Sequence, residues 1–286
     1  MGQTQDKMVE DMTLRGLAGT TQETYLRAVR SFIAFYMQPA TDLGAKQVRG
    51  YLLFQLNVAQ RSASTVNVTI SALRFLFGTT LERPEVMQSI RAVRKDHPQP
   101  EVLSGSEVTA LLEHTTSVVY RAIFMLLYGA GLRISEALKL TVADIDSKRM
   151  VLALHDTKTN YDRIVPLSQK LLEALRACWK ALRPTGQYLF PGRSGEAPLT
   201  REAVLDAIKK AARAAGITKN VHPHSLRHAY ATHLLEAGSN LREVQLLLGH
   251  RCIQSTTQYT HLTQDRLRSL RSPLDLLGTE EGRVLG

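Results

Sequence analysis

The strongest constraint on the fold is a period. Through most of the first hundred residues apolar side chains recur at steps of three and four, which gathers them on one stripe of a helix. In "TQETYLRAVRSFIAFYM", from Thr21, the stripe is Tyr25, Val29, Phe32, Ile33 and Tyr36, with Arg27, Arg30 and Ser31 off it. In "SASTVNVTISALRFLFG", from Ser62, it is Val66, Ile70, Leu73 and Phe77, and "GAKQVRGYLLFQLNV", from Gly44, is a third helical segment. Stripes of this kind can bury one another, so a small all-helical bundle is expected. The segment "RKDHPQPEVLSG", from Arg94, ends it, because two prolines in a charged run suit a linker between domains.

Beyond the linker, Ser104 and Glu107 have the S-x-x-E spacing of a capping box and start the helix "VTALLEH". An apolar helix in "VVYRAIFMLLYGAGLRISEALKL", from Val118, is ended by Gly129 and Gly131 just before Arg133. The period then changes: "MVLALHD" and "DRIVPLS" read as two strands joined by the polar turn "TKTNY". Helices resume at "LLEALRACWKAL", at "TREAVLDAIKKAARAAG" with Thr200 as cap and Gly216 past its end, at "HSLRHAYATHLL", and at "NLREVQLLLG" with Asn240 as cap. The expected fold class is mainly α with a small antiparallel β-sheet (α+β), divided into a bundle at 1–98, a linker at 99–104 and a second domain at 105–286.

No run approaches the roughly 18 apolar residues of a membrane helix, and "MGQTQDKMVEDM" lacks the apolar core of a secretory signal, so a cytoplasmic protein with no membrane partner is expected. Cys178 and Cys252 offer neither a disulfide framework nor a CxxC zinc spacing and read as ordinary thiols. The net charge of +10 is spread along the chain, with 12 Lys+Arg against 8 Asp+Glu in residues 1–100 and 24 against 18 in the remainder. Such spread suits a protein that wraps a long polyanion, since each neutralised phosphate releases condensed counterion. A solvated basic surface accounts for it equally well.

"HSLRHAYATHLL", from His224, packs three histidines and an arginine into ten residues, with His222 just upstream. On a helix of about 100° per residue, Arg227 lies about 60° to one side of His224, His228 about 40° to the other, and His233 about 180° away. Four histidines so placed cannot converge on one ion, and Ser225 stands where an H-E-x-x-H site needs glutamate. No metal site and no cofactor are expected. A phosphate suits the stretch better: Pro223 starts the helix, whose first amides and positive dipole end attract an anion, and Arg227 one turn in can clamp two oxygens. The competing reading is a core helix with satisfied histidines, and it is the preferred one for His228 and His233. Taken alone, the stretch leaves both readings open.

Four segments taken together close the choice. "GAGLRISEALKL", "TKTNYDRIVPL", "HSLRHAYATHLL" and "LLLGHRCIQSTTQYTH", in this order and spacing, closely resemble the tyrosine recombinase family, the phage-integrase and Xer-like enzymes, over roughly residues 102–271. The bundle resembles that family's core-DNA-binding, SAM-like domain. The resemblance implies a site-specific DNA recombinase that cleaves and rejoins DNA through a 3′-phosphotyrosyl intermediate, with the second domain catalytic. It implies catalytic roles for Arg133, Lys158, His224, Arg227, His250 and the nucleophile Tyr259. It matches Glu136 to an acid that orients the first arginine, and His228 to a structural histidine. It further implies double-stranded DNA with short inverted sites as partner, a homo-tetramer on two duplexes, and an association with the nucleoid. Leu274, Leu276 and Leu277 in "SPLDLLGTEEGRVLG" are offered for docking on a neighbouring subunit, against the reading of a frayed tail. Type IB topoisomerase-like strand relaxation and a catalytically silent DNA-binding relative are the alternatives.

One segment departs from the family pattern. The hairpin usually reads G-K-G-x-K-x-R-x-V-P-L, whereas this chain has threonines for both glycines and Tyr161 for the second basic residue, a stiffer turn around Lys158.

Overall fold

A computed structural model describes residues 2–94, 101–154, 162–249 and Leu274. The chain divides into two compact units, Met1–Gln99 and Pro100–Gly286.

Among the described residues the first unit contains four α-helices, α1 (Gly2–Leu14), α2 (Gly19–Tyr36), α3 (Ala45–Asn57) and α4 (Ala63–Phe75). The stripes read from sequence face inward: Val29 and Phe32 of α2 are buried, as are Val66, Ile70 and Leu73 of α4. Phe32 is the hub, with the rings of Tyr51, Tyr36 and Phe77 at 5.3, 5.7 and 6.3 Å. Tilted and edge-to-face pairs at such distances add to the gain from burial itself. Helix α1 has no counterpart in the sequence reading. Its buried residues are Met8 and Met12, one turn apart, with Val9 partly buried beside them, a stripe too narrow to register as a period.

The second unit is built around α6 (Val118–Gly129), whose residues from Ala122 are buried except Met125. A helix apolar on nearly every side belongs at the centre of a domain. Around it lie α5 (Gly105–Glu113), α7 (Ile134–Lys139), α8 (Gln169–Leu182), α9 (Arg201–Ala214) and α10 (Pro223–Glu236), and α11 (Leu241–Leu248) packs on α10. The expected caps form: Ser104 Oγ accepts the Glu107 amide and Glu107 Oε2 the Ser104 amide, Thr200 Oγ1 accepts the Ala203 amide, and Asn240 Oδ1 the Glu243 amide. Each such cap contributes about 1 kcal/mol.

The sheet has three antiparallel strands in the order β1 (Ile145–Asp146), β2 (Val151–Leu154), β3 (Arg163–Pro166). Leu154 pairs with Arg163 and Leu152 with Val165, which sets the guanidinium of Arg163 at the end of the hairpin nearest its turn. Strand β1 is two residues long and escaped the period analysis. The chain is thus mainly α with a small antiparallel sheet, and no helix among the described residues is long and apolar enough to cross a membrane.

Leu274 corrects one expectation. Instead of being presented to a neighbouring subunit, it is 3% exposed and packed into the core of this chain's own second unit, with its carbonyl 3.4 Å from Lys170 Nζ. Leu276 and Leu277 lie outside the described residues.

Candidate active site

The site grows from the short loop Ala130–Arg133 between α6 and α7. Gly131 has φ +62°, and a Cβ on it would come within 2.5 Å of Cδ1 and Cε1 of the buried Tyr230 ring. Glycine alone satisfies both the left-handed backbone and the ring's approach. Gly131→Ala is therefore expected to lower the unfolding free energy by about 2–4 kcal/mol, backbone strain and overpacking together, read from the midpoint of urea unfolding.

Arg133 follows as the N-cap of α7, and Glu136 at N3 reaches back, its Oε2 accepting the Arg133 amide at 2.7 Å. The same carboxylate accepts from Arg133 Nη1 at 2.8 Å and takes both Nη1 and Nη2 of Arg163, at 2.8 and 2.7 Å. Arg227 Nη1 stands 3.9 Å from it. Glu136 thus does more than orient Arg133: it ties α7 to β3 and α10 as well. Burial alone would raise its pKa, but the hydrogen bonds and charge of Arg163, together with Arg133, hold it below the usual carboxylate range.

Three successive carbonyls at the end of α11 complete the frame. Leu247 O accepts from Arg163 Nε, Leu248 O from Arg227 Nη2, and Gly249 O from Arg133 Nη2. The last carbonyls of a helix lack intrahelical partners and carry its negative dipole end, so guanidiniums are their natural complement. Gly249 has φ +62°, and a Cβ there would lie 3.1–3.3 Å from the Arg163 side chain, so the "LLLG" ending is also sterically fixed.

Arg227 is buried, its side chain 7% exposed, and Nη1 donates to Gly131 O. Burial, followed by repulsion from Arg133, pushes its pKa down to about 9, which leaves it charged at neutral pH. Each guanidinium has five N–H donors. Arg133 and Arg227 each direct two of them at the groups just named, leaving three apiece without a partner among the described residues. Three cations (Arg133, Arg163, Arg227) around one carboxylate (Glu136) give +3 − 1 = +2 for these four groups. Such a net positive cluster can accommodate an anion with several oxygens.

His224, in the first turn of α10, is exposed beside this cluster. Burial of part of its ring, then His222, Arg227, Arg133 and Arg201, lower its pKa below the ordinary histidine value, so it is neutral at pH 7 and can take a proton. His233, on the opposite face, is a satisfied core histidine, with Nδ1 2.9 Å from the Tyr128 hydroxyl. His228 does not share that role. It is exposed, because it sits only about 40° around the helix from His224 and shares the same open edge.

The structure therefore brings together Arg133, Arg227 and His224, and adds Arg163, to which the sequence reading gave no role. The signal was present in "DRIVPL", but the partners of Arg163 lie 27 and 84 residues away. Lys158, His250 and Tyr259 lie outside the described residues.

A family model described as phage integrase family matches residues 101–266, and one described as phage integrase, N-terminal SAM-like domain, matches 5–85. A protein of Sinorhizobium fredii described as integrase/recombinase y4qK is 41% identical over 272 residues, covering 95% of this chain and 88% of the relative. Tyrosine recombinase XerD of Rhizobium meliloti is 33% identical over 279 residues, covering 90% and 89%. The crystal structure of a lambda integrase tetramer bound to a Holliday junction shares the fold, with a TM-score of 0.69 at 20% identity over 90% of this chain and 78% of that one. The chain belongs to the phage integrase family, the tyrosine recombinases that carry out site-specific DNA recombination.

Proposed function

We propose that the phosphate held by Arg133 and Arg227 is a scissile DNA phosphodiester, and that Tyr259 attacks it. One observation carries this reading: two guanidiniums, fixed by a shared carboxylate and by backbone carbonyls, keep donors that have no partner among the described residues beside a neutral, exposed imidazole. The transition state places more negative charge on the nonbridging oxygens, and preorganised donors there supply the largest catalytic contribution. His224 takes the phenolic proton as the Tyr259 oxygen bonds to phosphorus, and Lys158 gives a proton to the departing 5′ oxygen. His250, the residue after Gly249, hydrogen-bonds to the phosphate. The products are a 3′-phosphotyrosyl bond and a free 5′-hydroxyl, and a 5′-hydroxyl from a second duplex reverses the step. The bond energy is retained in the phosphotyrosyl link, so rejoining needs no ATP.

On this reading the partner is double-stranded DNA with short inverted sites in the cytoplasm, at the nucleoid, and four copies of the chain act on two duplexes, as lambda integrase does on a Holliday junction. The test is to trap the intermediate on a nicked duplex and digest both components. The nucleotide-bearing peptide is expected to contain Tyr259, and an adduct at another residue, or none, overturns the reading. Exchange of strands between two labelled duplexes then separates a recombinase from a type IB topoisomerase-like enzyme, which relaxes without exchange, and from a silent DNA-binding relative.

A pH dependence follows. Because partial burial of the His224 ring, and then the charged groups around it, disfavour its protonation, the rate of adduct formation is expected to hold down to pH values below the ordinary histidine midpoint of 6.5 and to fall only at greater acidity. Single-turnover rates across pH 5–8 measure this.

A further inference from the structure

His222 takes no part in the proton transfers, yet it caps the helix that carries His224. It is the N-cap of α10, with φ −144° and ψ 168°, followed by Pro223 at N1, His224 at N2 and Ser225 at N3. Its Nδ1 lies 3.2 Å from both the Ser225 amide nitrogen and Ser225 Oγ, and Ser225 Oγ in turn accepts the His222 amide at 3.2 Å. The ring is exposed and its centroid is 6.3 Å from that of His224.

The chemistry of this cap differs from that of the usual serine, threonine, aspartate or asparagine. An amide N–H can only donate, so Nδ1 must accept, and the neutral ring carries its proton on Nε2. A protonated imidazole has N–H on both nitrogens and accepts nothing. Hydroxyl and amide caps keep their acceptor at every pH near neutrality, whereas this one is abolished by a single proton. Around the ring of His224 stand His222 and Arg227 of α10, Arg133 at the start of α7 and Arg201 at the start of α9.

We propose that His222 is a positioning residue of the cleavage site: by accepting the Ser225 amide it fixes the first turn of α10, and with it His224, only while its ring is unprotonated. The proposal rests on His224 as the base. Cleavage then requires two neutral imidazoles, one to remove the phenolic proton and one to hold the first in place.

The test uses the full-length protein on the nicked duplex, comparing wild type with His222→Ser, whose hydroxyl can cap at any pH. On the acid side the wild-type single-turnover rate is expected to fall by about a hundredfold per pH unit, two protons, and that of His222→Ser by about tenfold, one proton. Superimposable profiles overturn the proposal. Failure of the underlying reading looks different: His224→Asn then retains the acid limb of the wild type. A readout free of activity decides the cap itself. In protein labelled with ¹⁵N at histidine, the His222 resonances, assigned by their loss in His222→Ser, should show Nε2 protonated and Nδ1 bare at neutral pH. A proton on Nδ1 would sink the idea whatever the rates.

Discussion

Arg227→Ala should lower the single-turnover rate of adduct formation on a nicked duplex by about 10³-fold. The loss of one preorganised donor group from a developing oxyanion costs roughly 10²–10³, and a guanidinium that stabilises phosphoryl charge stands at the upper end. Arg227 is suited to that end, being rigidly held by Gly131 O and Leu248 O and buried among other cations. Its effect on folding is the sum of opposed contributions. Removing it orphans two carbonyls, at about 1–3 kcal/mol each, but also relieves a cation that burial and Arg133 disfavour enough to bring its pKa to about 9. The thermal midpoint should therefore move by only a few degrees while cleavage collapses. Arg227→Lys keeps the charge but cannot bond two carbonyls and a phosphate with one fork, so it should remain at least tenfold slower than wild type. Either variant cleaving within tenfold of wild type shows that Arg227 serves the fold and not the phosphate.

What the sequence made legible was local. The caps at Ser104, Thr200 and Asn240 depend on residues three apart and form as their spacing predicts. The stripes of α2 and α4 are visible because one face of each helix is apolar over about three turns, whereas α1 buries only Met8 and Met12 and β1 is two residues long. Arg133, His224 and Arg227, which the structure brings together, are singled out in the sequence by the order of four segments, the helix start at Pro223 having left two readings of His224 and Arg227 open. Arg163 was passed over because its function is made entirely by long-range partners, Glu136 and Leu247 O. His228 is exposed where a core histidine is expected, although its offset of about 40° from His224 already puts it on the open face.

The same long-range wiring sets the second large effect. Glu136→Ala removes the only carboxylate shown within ion-pairing distance of Arg163 among the described residues, whose side chain is 9% exposed, and uncaps the Arg133 amide. Stranding a buried charge in this way costs about 3–5 kcal/mol, which urea unfolding at neutral pH would measure. The pH dependence has a definite sign. Because Glu136 titrates below its ordinary value of 4.5 in the folded protein, its contribution is fully present above that value and is lost as pH falls through the lower folded one. The gap in stability between wild type and Glu136→Gln should therefore be constant above about pH 5 and shrink on acidification. A double variant, Glu136→Gln with Arg163→Met, distinguishes pairing from catalysis. Removing both charges leaves neither stranded, so stability should recover much of what Glu136→Gln lost. Cleavage should not recover, since Arg133 has still lost the carboxylate that holds it against Gly249 O and beside Arg227. If cleavage returned with stability, the carboxylate would be a fold element only, and the arrangement of the two phosphate-binding arginines would have to be maintained by the α11 carbonyls alone.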